Sequence, residues 1–158
     1  MSQTHGYTLR IQWQRKGEVF TDRRYSRVHE WMFDGGLSVR ASASPLIVPV
    51  PMSDTTAVDP EEAFVASLSS CHMLWFLDFA ARSAYVVDRY EDNPSGVLAV
   101  DPTGSLAMTE VVLRPKVEFG GDREPDGPAL TALHEKAHEN CFLANSVKTK
   151  ITIEPVFL

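Results

Sequence analysis

The stretch Asp59-Pro-Glu-Glu-Ala-Phe-Val-Ala-Ser-Leu-Ser-Ser-Cys71 starts the long helix about which the rest of the chain is arranged. Its aspartate suits an N-cap, its proline suits the first helical position, and its two glutamates favour the positive end of the helix dipole. The helical pattern continues to about Arg82, with apolar residues on more than one face. A helix that is apolar on several faces is typically buried. We therefore predict a long central helix that ends near Arg82.

Alternation of apolar and polar residues on both sides of this helix predicts β-strands. Asp34-Gly35-Gly36 is a strong hairpin signal, because glycine tolerates a positive φ at both positions. The predicted strands cover 7–13, 19–33 and 37–41 before the helix, and 86–90, 96–100, 108–119 and 148–154 after it, with a second helix over 129–142. This order predicts an α+β fold in which mostly antiparallel sheets pack around the helices.

The composition narrows the class of protein. The length of 158 residues suits a single domain over 1–158. The net charge of −6 argues against a nucleic-acid-binding protein, which usually carries a basic surface. The N-terminus has no basic segment followed by an apolar one, and the longest apolar run, 73–81, is interrupted by Asp78 and falls short of the ~20 residues of a membrane span. We therefore expect a cytoplasmic protein that binds neither nucleic acid nor membrane.

The chain has two cysteines, Cys71 and Cys141, and each falls late in a predicted helix. In a reducing compartment such thiols indicate redox or metal chemistry more than a structural disulfide, and a working pair would have to cycle. A cysteine that reacts with peroxides needs a thiolate, a neighbouring positive charge and access for the oxidant. On spacing alone, Cys71 fits a buried small apolar residue equally well.

The positive charge could come from Arg23, Arg24 or Arg27, which cluster on the predicted second strand and would need a carboxylate to hold them. Glu61 could supply that carboxylate, although a glutamate in a first helical turn needs no further role. Ten helical residues span ~15 Å, so Glu61 and Cys71 cannot touch along one straight helix. If both serve one site, an arginine bridges part of the gap, the helix begins later, or a second subunit contributes. We favour the second subunit as a hypothesis.

A metal site is an alternative. His134, His138 and Cys141 are spaced i, i+4 and i+7, which places them on one stripe of the second helix. With Cys71 and His72 they could supply zinc ligands, although both α2 histidines also fit a solvated helix face. A third possibility is a non-catalytic dimer that binds a small molecule or a lipid and leaves both cysteines idle.

Three stretches of the chain resemble the OsmC/Ohr family of thiol-dependent hydroperoxide reductases. Residues 59–71 resemble the family's Asn-Pro-Glu-Glu-Leu-Phe segment that ends in Ala-Cys, with the same spacing from glutamate to cysteine. Residues 137–141 with 145–153 resemble the segment around the family's second cysteine and its last strand, and 34–39 resemble its early hairpin. The order of elements agrees along nearly the whole chain.

The resemblance implies that Cys71 is the peroxidatic cysteine and Cys141 the resolving one. Glu61 would orient the arginine that activates Cys71, and alignment of the hairpins selects Arg27, with Arg24 as the second choice. The family also implies an intertwined homodimer with sites at its interface. The expected reaction reduces an organic hydroperoxide to an alcohol through a Cys71 sulfenic acid and a Cys71–Cys141 disulfide, with an external dithiol as reductant. We expect no cofactor and no metal.

Two positions depart from the family pattern. Phe142 follows the second cysteine, where family members usually have proline, and His72 follows the first, where a small apolar or aromatic residue is common. These differences leave the core chemistry in place and bear on the range of substrates and on the reductant.

Overall fold

The structure is a computed structural model that describes residues 4–156. The chain divides into two compact units, Met1–Ala63 and Phe64–Leu158, with the boundary near the start of a long helix. The N-terminal unit contains one β-sheet, and the C-terminal unit contains two sheets, most of the long helix and a second helix. The α+β class is therefore confirmed, whereas the single domain over 1–158 and the homodimer remain predictions.

The N-terminal unit is built on a three-stranded antiparallel sheet. Its strands are β1 (Leu9–Gln12), β2 (His29–Phe33) and β3 (Ser38–Ala41), in the order β1-β2-β3. The predicted hairpin joins β2 to β3, and the Gly36 N–H donates to the carbonyl of the last β2 residue at 3.0 Å. Gly36 has a positive φ of 87°, whereas Gly35 does not, so only one of the two glycines needs its conformational freedom.

The predicted strand 19–33 is wrong over most of its length, because only its last 5 residues are extended. Inside the predicted strand, Arg23 has a positive φ of 63°, and the chain already turns just before it, where Lys16 and Gly17 have φ values of 52° and 84°. The left-handed conformation of Arg23 is incompatible with an extended strand. The aromatic residues of this segment contact one another rather than a neighbouring strand, which accounts for an apolar pattern without a sheet.

The long helix α1 (Pro60–Arg82) has the predicted start and end. Asp59 Oδ1 accepts a hydrogen bond from the Glu62 N–H at 2.8 Å, and Glu62 Oε2 accepts one from the Asp59 N–H at 3.3 Å. This reciprocal capping box satisfies N–H groups that a helix start leaves unpaired. After the last turn Ala84 has a positive φ of 58°, and the Tyr85 N–H bonds back to a helix carbonyl at 3.0 Å, which ends the helix.

The C-terminal unit contains a two-stranded and a three-stranded sheet. In the first, β4 (Val86–Asp92) pairs antiparallel with β7 (Pro115–Gly120). In the second, β5 (Ser95–Val100) pairs antiparallel with β6 (Leu106–Leu113), and β6 pairs in parallel with β8 (Lys150–Ile153). Antiparallel pairing therefore predominates, as predicted.

The predicted strand 108–119 is two strands, because the chain leaves one sheet and enters the other at Arg114 and Pro115. Pro115 has no N–H to donate to a sheet. The Arg114 N–H donates instead to the Asp92 carboxylate at 2.6 Å. The change of sheet is thus fixed by a proline and by one side-chain acceptor, which a period-two pattern does not detect.

The second helix, α2 (Gly127–Asn140), begins and ends earlier than predicted. Asp126 is its N-cap and accepts a hydrogen bond from the Ala129 N–H at 2.8 Å. Cys141 is its C-cap, with an extended ψ of 111°, and a short 3-10 turn follows over Ala144–Ser146. Cys141 therefore lies just beyond the helix rather than inside it.

Two apolar clusters surround α1 within the C-terminal unit. The first joins α1 to β7 and α2 through Phe76, Phe79, Ala80, Val117, Leu133 and Ala137. The second joins α1 to β6 through Leu68, Val111 and Leu113. By length and composition α1 could also cross a membrane, with a mean hydropathy of 1.3. Of that apolar window 28% is buried, and the buried side chains pack on β6, β7 and α2 as those of a core helix do.

Candidate active site

Cys71 faces an apolar pocket of the C-terminal unit. The pocket has a volume of about 360 Å³ and is lined by Cys71, Leu74, Trp75, Asp78, Arg82 and Phe142. The five α1 residues are spaced i, i+3, i+4, i+7 and i+11, so they form one stripe of the helix. Cys71 is a free thiol and is only half-buried, so an oxidant can reach its sulfur.

The far end of this pocket is polar and its side is aromatic. Asp78 and Arg82 form an ion pair across one helical turn, with 2.8 Å between Asp78 Oδ2 and an Arg82 guanidinium nitrogen. Phe142 packs its ring edge to face against Trp75, with centroids 5.4 Å apart. Phe142 is 69% exposed, so it forms a wall of the pocket and adds little to the core.

Cys141 is the buried partner of Cys71. It is a free thiol, 1% exposed, and its Sγ accepts a hydrogen bond from the Ala144 N–H at 3.4 Å. Burial, followed by interaction with the neighbouring Cys71 thiol, raises the pKa of Cys141 above its ordinary value. The structure thus brings the two predicted cysteines together and gives them different environments, because one is accessible and the other is held as a neutral thiol.

A pair of buried histidines lies beside the cysteines. His72 Nε2 and His134 Nδ1 are 3.0 Å apart, and the two rings are nearly parallel, at 5°. Burial lowers the pKa of His72 to about 3, with smaller contributions from His134 and His138, and burial lowers the pKa of His134 to about 4. Both rings are therefore neutral near neutral pH, and one N–H donates to the bare nitrogen of the other ring.

This pair corrects the prediction for His134, which sequence spacing placed either in a metal site or on a solvated face. His134 is 3% exposed and stacks on Phe76 at 4.3 Å between centroids. A signal for burial was present in the sequence, since Leu130, Leu133 and Ala137 form an apolar stripe around it on α2. The zinc hypothesis grouped His72 with His134, but no sequence pattern indicated a direct hydrogen bond between the two rings.

The metal-binding alternative receives no support from the geometry. Within residues 4–156, no group of three or more His, Cys, Asp or Glu side chains is arranged to hold a metal ion. His134 directs its Nδ1 to His72, and Cys141 lies beside Cys71, so the proposed set of Cys71, His134, His138 and Cys141 does not converge on one point.

Arg27 lies in the N-terminal unit, in the irregular segment just before β2. Its guanidinium stacks on the Tyr25 ring, 3.7 Å from the centroid, and donates a hydrogen bond to the Tyr25 carbonyl. It lines an aromatic pocket of about 480 Å³ together with Trp13, Phe20 and His29, among others. Arg24, the second choice, is exposed, and its N–H bonds to Asp22 at 2.9 Å.

Glu61 is in the first turn of α1, and its Oε2 is buried without a hydrogen-bond partner among the described residues. No ion pair joins it to Arg27 in residues 4–156, so the predicted contact between the two is absent from the structure. An unpaired buried carboxylate oxygen is costly. The role of Glu61 in orienting Arg27 remains a prediction.

The order of elements and the two adjacent thiols define an α+β dithiol protein. Residues 53–156 match the family model described as OsmC-like protein, which is more than half of the chain. This chain therefore belongs to the OsmC-like family, as the sequence resemblance predicted. Among curated proteins, none matches the chain.

Solved structures show the same fold. The chain is similar to an OsmC-like protein of unknown function from Vibrio cholerae, with 50% identity, a TM-score of 0.95, and coverage of 97% of this chain and 100% of that one. It is also similar to the organic hydroperoxide resistance protein OhrB of Bacillus subtilis, with 17% identity, a TM-score of 0.69, and coverage of 96% and 98%. An organic hydroperoxide resistance protein OsmC from Legionella pneumophila matches with 15% identity, a TM-score of 0.68, and coverage of 98% and 97%. The last two likenesses are evidence for the fold.

Proposed function

We propose that this protein is a thiol-dependent peroxidase that reduces organic hydroperoxides to alcohols. The observation that carries the proposal is the arrangement of the two thiols. Cys71 is accessible in an apolar pocket, and Cys141 is buried next to it. Membership of the OsmC-like family and the names of the Bacillus and Legionella neighbours support a peroxide-related function.

In the first step the Cys71 thiolate attacks the terminal oxygen of the hydroperoxide. The S–O bond forms, the O–O bond breaks, and the departing alkoxide takes a proton to become the alcohol. Sulfur is oxidised to a sulfenic acid and the peroxide is reduced. An accessible cysteine is needed for this step, which favours Cys71 over the buried Cys141.

In the second step the Cys141 sulfur attacks the Cys71 sulfenic acid, and water leaves as the disulfide forms. Burial keeps Cys141 protonated until that moment, because its pKa is raised. A protonated thiol is a poor nucleophile toward peroxide, so the two cysteines do not compete for the substrate. An external dithiol then reduces the disulfide by exchange, as the cytoplasm allows.

We assign the activating positive charge to Arg27, and Glu61 is the carboxylate that would bind and orient its guanidinium. Within the N-terminal unit, Arg27 is held by Tyr25, and Glu61 has a buried, unpaired oxygen. An arginine that stabilises a thiolate must bring its permanent charge close to the sulfur. We propose that this happens in a homodimer, in which a second copy of the chain completes the site.

The walls of the pocket indicate the class of peroxide. Leu74, Trp75 and Phe142 surround Cys71 with apolar surface, which would take the alkyl or aryl part of an organic hydroperoxide out of water. Hydrogen peroxide offers no such surface. Turnover should therefore be faster with cumene hydroperoxide than with hydrogen peroxide, and the reverse order would contradict this assignment of the pocket.

The test is to mix pre-reduced protein with tert-butyl hydroperoxide and to count free thiols, with Cys71→Ser and Cys141→Ser as variants. We expect the wild type to lose both thiols rapidly. Cys71→Ser should not be oxidised, and Cys141→Ser should accumulate a sulfenic acid that a dimedone probe traps. Thiols that survive excess hydroperoxide in the wild type would overturn the proposal and favour a non-catalytic small-molecule-binding dimer.

A further inference from the structure

The buried contact between His72 and His134 joins α1, which carries Cys71, to α2, whose C-cap is Cys141. His72 directly follows Cys71 on α1, and His134 lies on α2, seven residues before Cys141. The two side chains are 1% and 3% exposed, so the hydrogen bond between them is sealed from solvent. The contact therefore spans the interface between α1 and α2, next to Cys71 on α1 and two turns before Cys141 at the end of α2.

The chemistry of this contact differs from that of its surroundings. Phe76, Phe79, Leu133 and Ala137 belong to the apolar cluster that joins the two helices, and the hydrophobic contribution of such groups depends on the buried area and is non-directional. An N–H···N bond is directional and is lost when its atoms separate by much more than 3 Å. His72 Nδ1 and His134 Nε2 are buried without a hydrogen-bond partner among the described residues. Sliding α1 along α2 would break the one bond of the pair and leave all four ring nitrogens unpaired, which is costly.

We propose that His72 and His134 are positioning residues that fix the offset between α1 and α2 and thereby hold Cys141 within reach of Cys71 for disulfide formation. The inference rests in part on the proposed function, because it assigns the pair to the second step of that reaction. Neither histidine lines the pocket around Cys71, so neither contacts the peroxide. The pair should act on disulfide closure and leave sulfenic acid formation unchanged.

The test compares variants that keep or remove the directional bond. His72→Leu/His134→Leu replaces both rings with apolar side chains of similar size and so avoids leaving a single unpaired nitrogen. His72→Gln/His134→Asn keeps polar atoms near the Nε2 of His72 and the Nδ1 of His134. His72→Asn/His134→Gln has the same composition but displaces these atoms along their side chains. His138→Leu is the matched control, one turn further along α2.

The readout is the equilibrium between the Cys71–Cys141 disulfide and the two thiols in glutathione buffers, in which one oxidised glutathione is reduced to two thiols for each protein disulfide formed. We expect the double leucine variant to lower the equilibrium constant for disulfide formation by about tenfold, which is ~30 mV for this two-electron couple. His72→Gln/His134→Asn should recover most of the loss. His138→Leu should behave as the wild type.

The inference is overturned if the double leucine variant, folded by circular dichroism, forms the disulfide as readily as the wild type. It is also overturned if the two amide variants behave alike, or if His138→Leu causes the same loss. Should the leucine variant not fold, the comparison of the two amide variants decides. Since this assay contains no peroxide, a wild type that forms the disulfide but ignores hydroperoxides would refute the peroxidase and leave the positioning role standing.

A second readout tests which step depends on the pair. Rapid mixing with tert-butyl hydroperoxide, with dimedone trapping at short times, separates formation of the Cys71 sulfenic acid from closure of the disulfide. We expect closure to slow in the double leucine variant by the same order as the equilibrium changes, with an unchanged rate of sulfenic acid formation. Equal slowing of both steps would indicate a general loss of structure and would contradict a positioning role.

Discussion

Two aromatic clusters, one in each unit, differ in how far they are buried. In the C-terminal unit, Phe76 is fully buried among Tyr90, Phe119 and His134. In the N-terminal unit, Trp13, Phe20 and Tyr25 also contact one another, but Trp13 is 37% and Phe20 48% exposed, and they line an open pocket that contains Arg27. The comparison indicates that the side chains around α1 and α2 contribute most of the free energy of unfolding. The N-terminal cluster contributes less, and its open pocket keeps the charged Arg27 side chain partly in contact with water.

The largest expected effect is a difference in unfolding free energy between substitutions in the two clusters. Phe76→Ala should destabilise the protein by about 3–5 kcal/mol, because it removes a fully buried ring and leaves a cavity. Phe20→Ala should cost about 1 kcal/mol or less, since half of its ring is already in water. Urea unfolding measures both. Equal losses would mean that the N-terminal cluster is a core in its own right.

The next effect concerns activity. Arg27→Gln should slow the reaction of Cys71 with tert-butyl hydroperoxide by about 10²-fold if, as we propose, the Arg27 charge stabilises the Cys71 thiolate. The midpoint of urea unfolding should change little, because the Arg27 guanidinium stacks on Tyr25 at the border of a partly exposed aromatic cluster. Arg24→Gln is the matched control. If Arg24→Gln slows the reaction more than Arg27→Gln, the assignment within this arginine cluster is wrong.

The buried histidines make the C-terminal unit sensitive to acid. The pKa values of His72 and His134, about 3 and about 4 in the fold, lie below the value of 6.5 for an unperturbed histidine, so the unfolded chain binds protons first as the pH falls. The free energy of unfolding that depends on these two neutral rings is therefore fully present above pH ~6.5. It is lost as the pH falls from there toward the pKa values that the two histidines have in the folded protein.

Between pH 7 and pH 5 this loss should be about 2 kcal/mol for each histidine, measured by urea unfolding at the two pH values. The double leucine variant should lose correspondingly less over the same range. His138 contributes to the shift of His72 from the next turn of α2, so His138→Leu should reduce the loss only slightly. A wild type as stable at pH 5 as at pH 7 would show that the two rings are not buried as neutral groups.

The smallest expected effect is on substrate affinity, through Phe142 in the wall of the Cys71 pocket. Phe142→Ala should raise the KM for cumene hydroperoxide by about 2- to 5-fold, since one exposed aromatic contact is worth less than about 1 kcal/mol. The KM for tert-butyl hydroperoxide, a smaller substrate, should change less. Steady-state kinetics with both substrates test this. Equal changes for both would place the bound alkyl group away from Phe142.

Local chemistry explains which features could be predicted from the sequence. The start of α1 was predictable because Asp59 and Glu62 act within one turn, and the proximity of Cys71 and Cys141 followed from the family resemblance. The length of β2 was not, because the scattered apolar and aromatic residues between Val19 and Val28 are compatible both with a paired strand and with a segment that folds onto itself.

The contacts between distant segments were the hardest to anticipate. The bond between His72 and His134 joins residues 62 positions apart, and no periodicity within either helix reveals it. The same holds for the change of sheet at Arg114, which depends on the Asp92 carboxylate 22 residues earlier. Periodic patterns report which face of an element is buried and carry no information on the partner that covers it.

The burial of Cys141 also determines how the proposed disulfide would be broken. A reducing thiolate must approach along the axis of the S–S bond, and only the Cys71 sulfur is exposed on the side of the pocket. The external dithiol would therefore bond to Cys71 and release Cys141 as the leaving group. The pocket that admits the peroxide would thus also receive the reductant. Oxidant and reductant would then compete for the same opening, and each would have to leave before the other could bind.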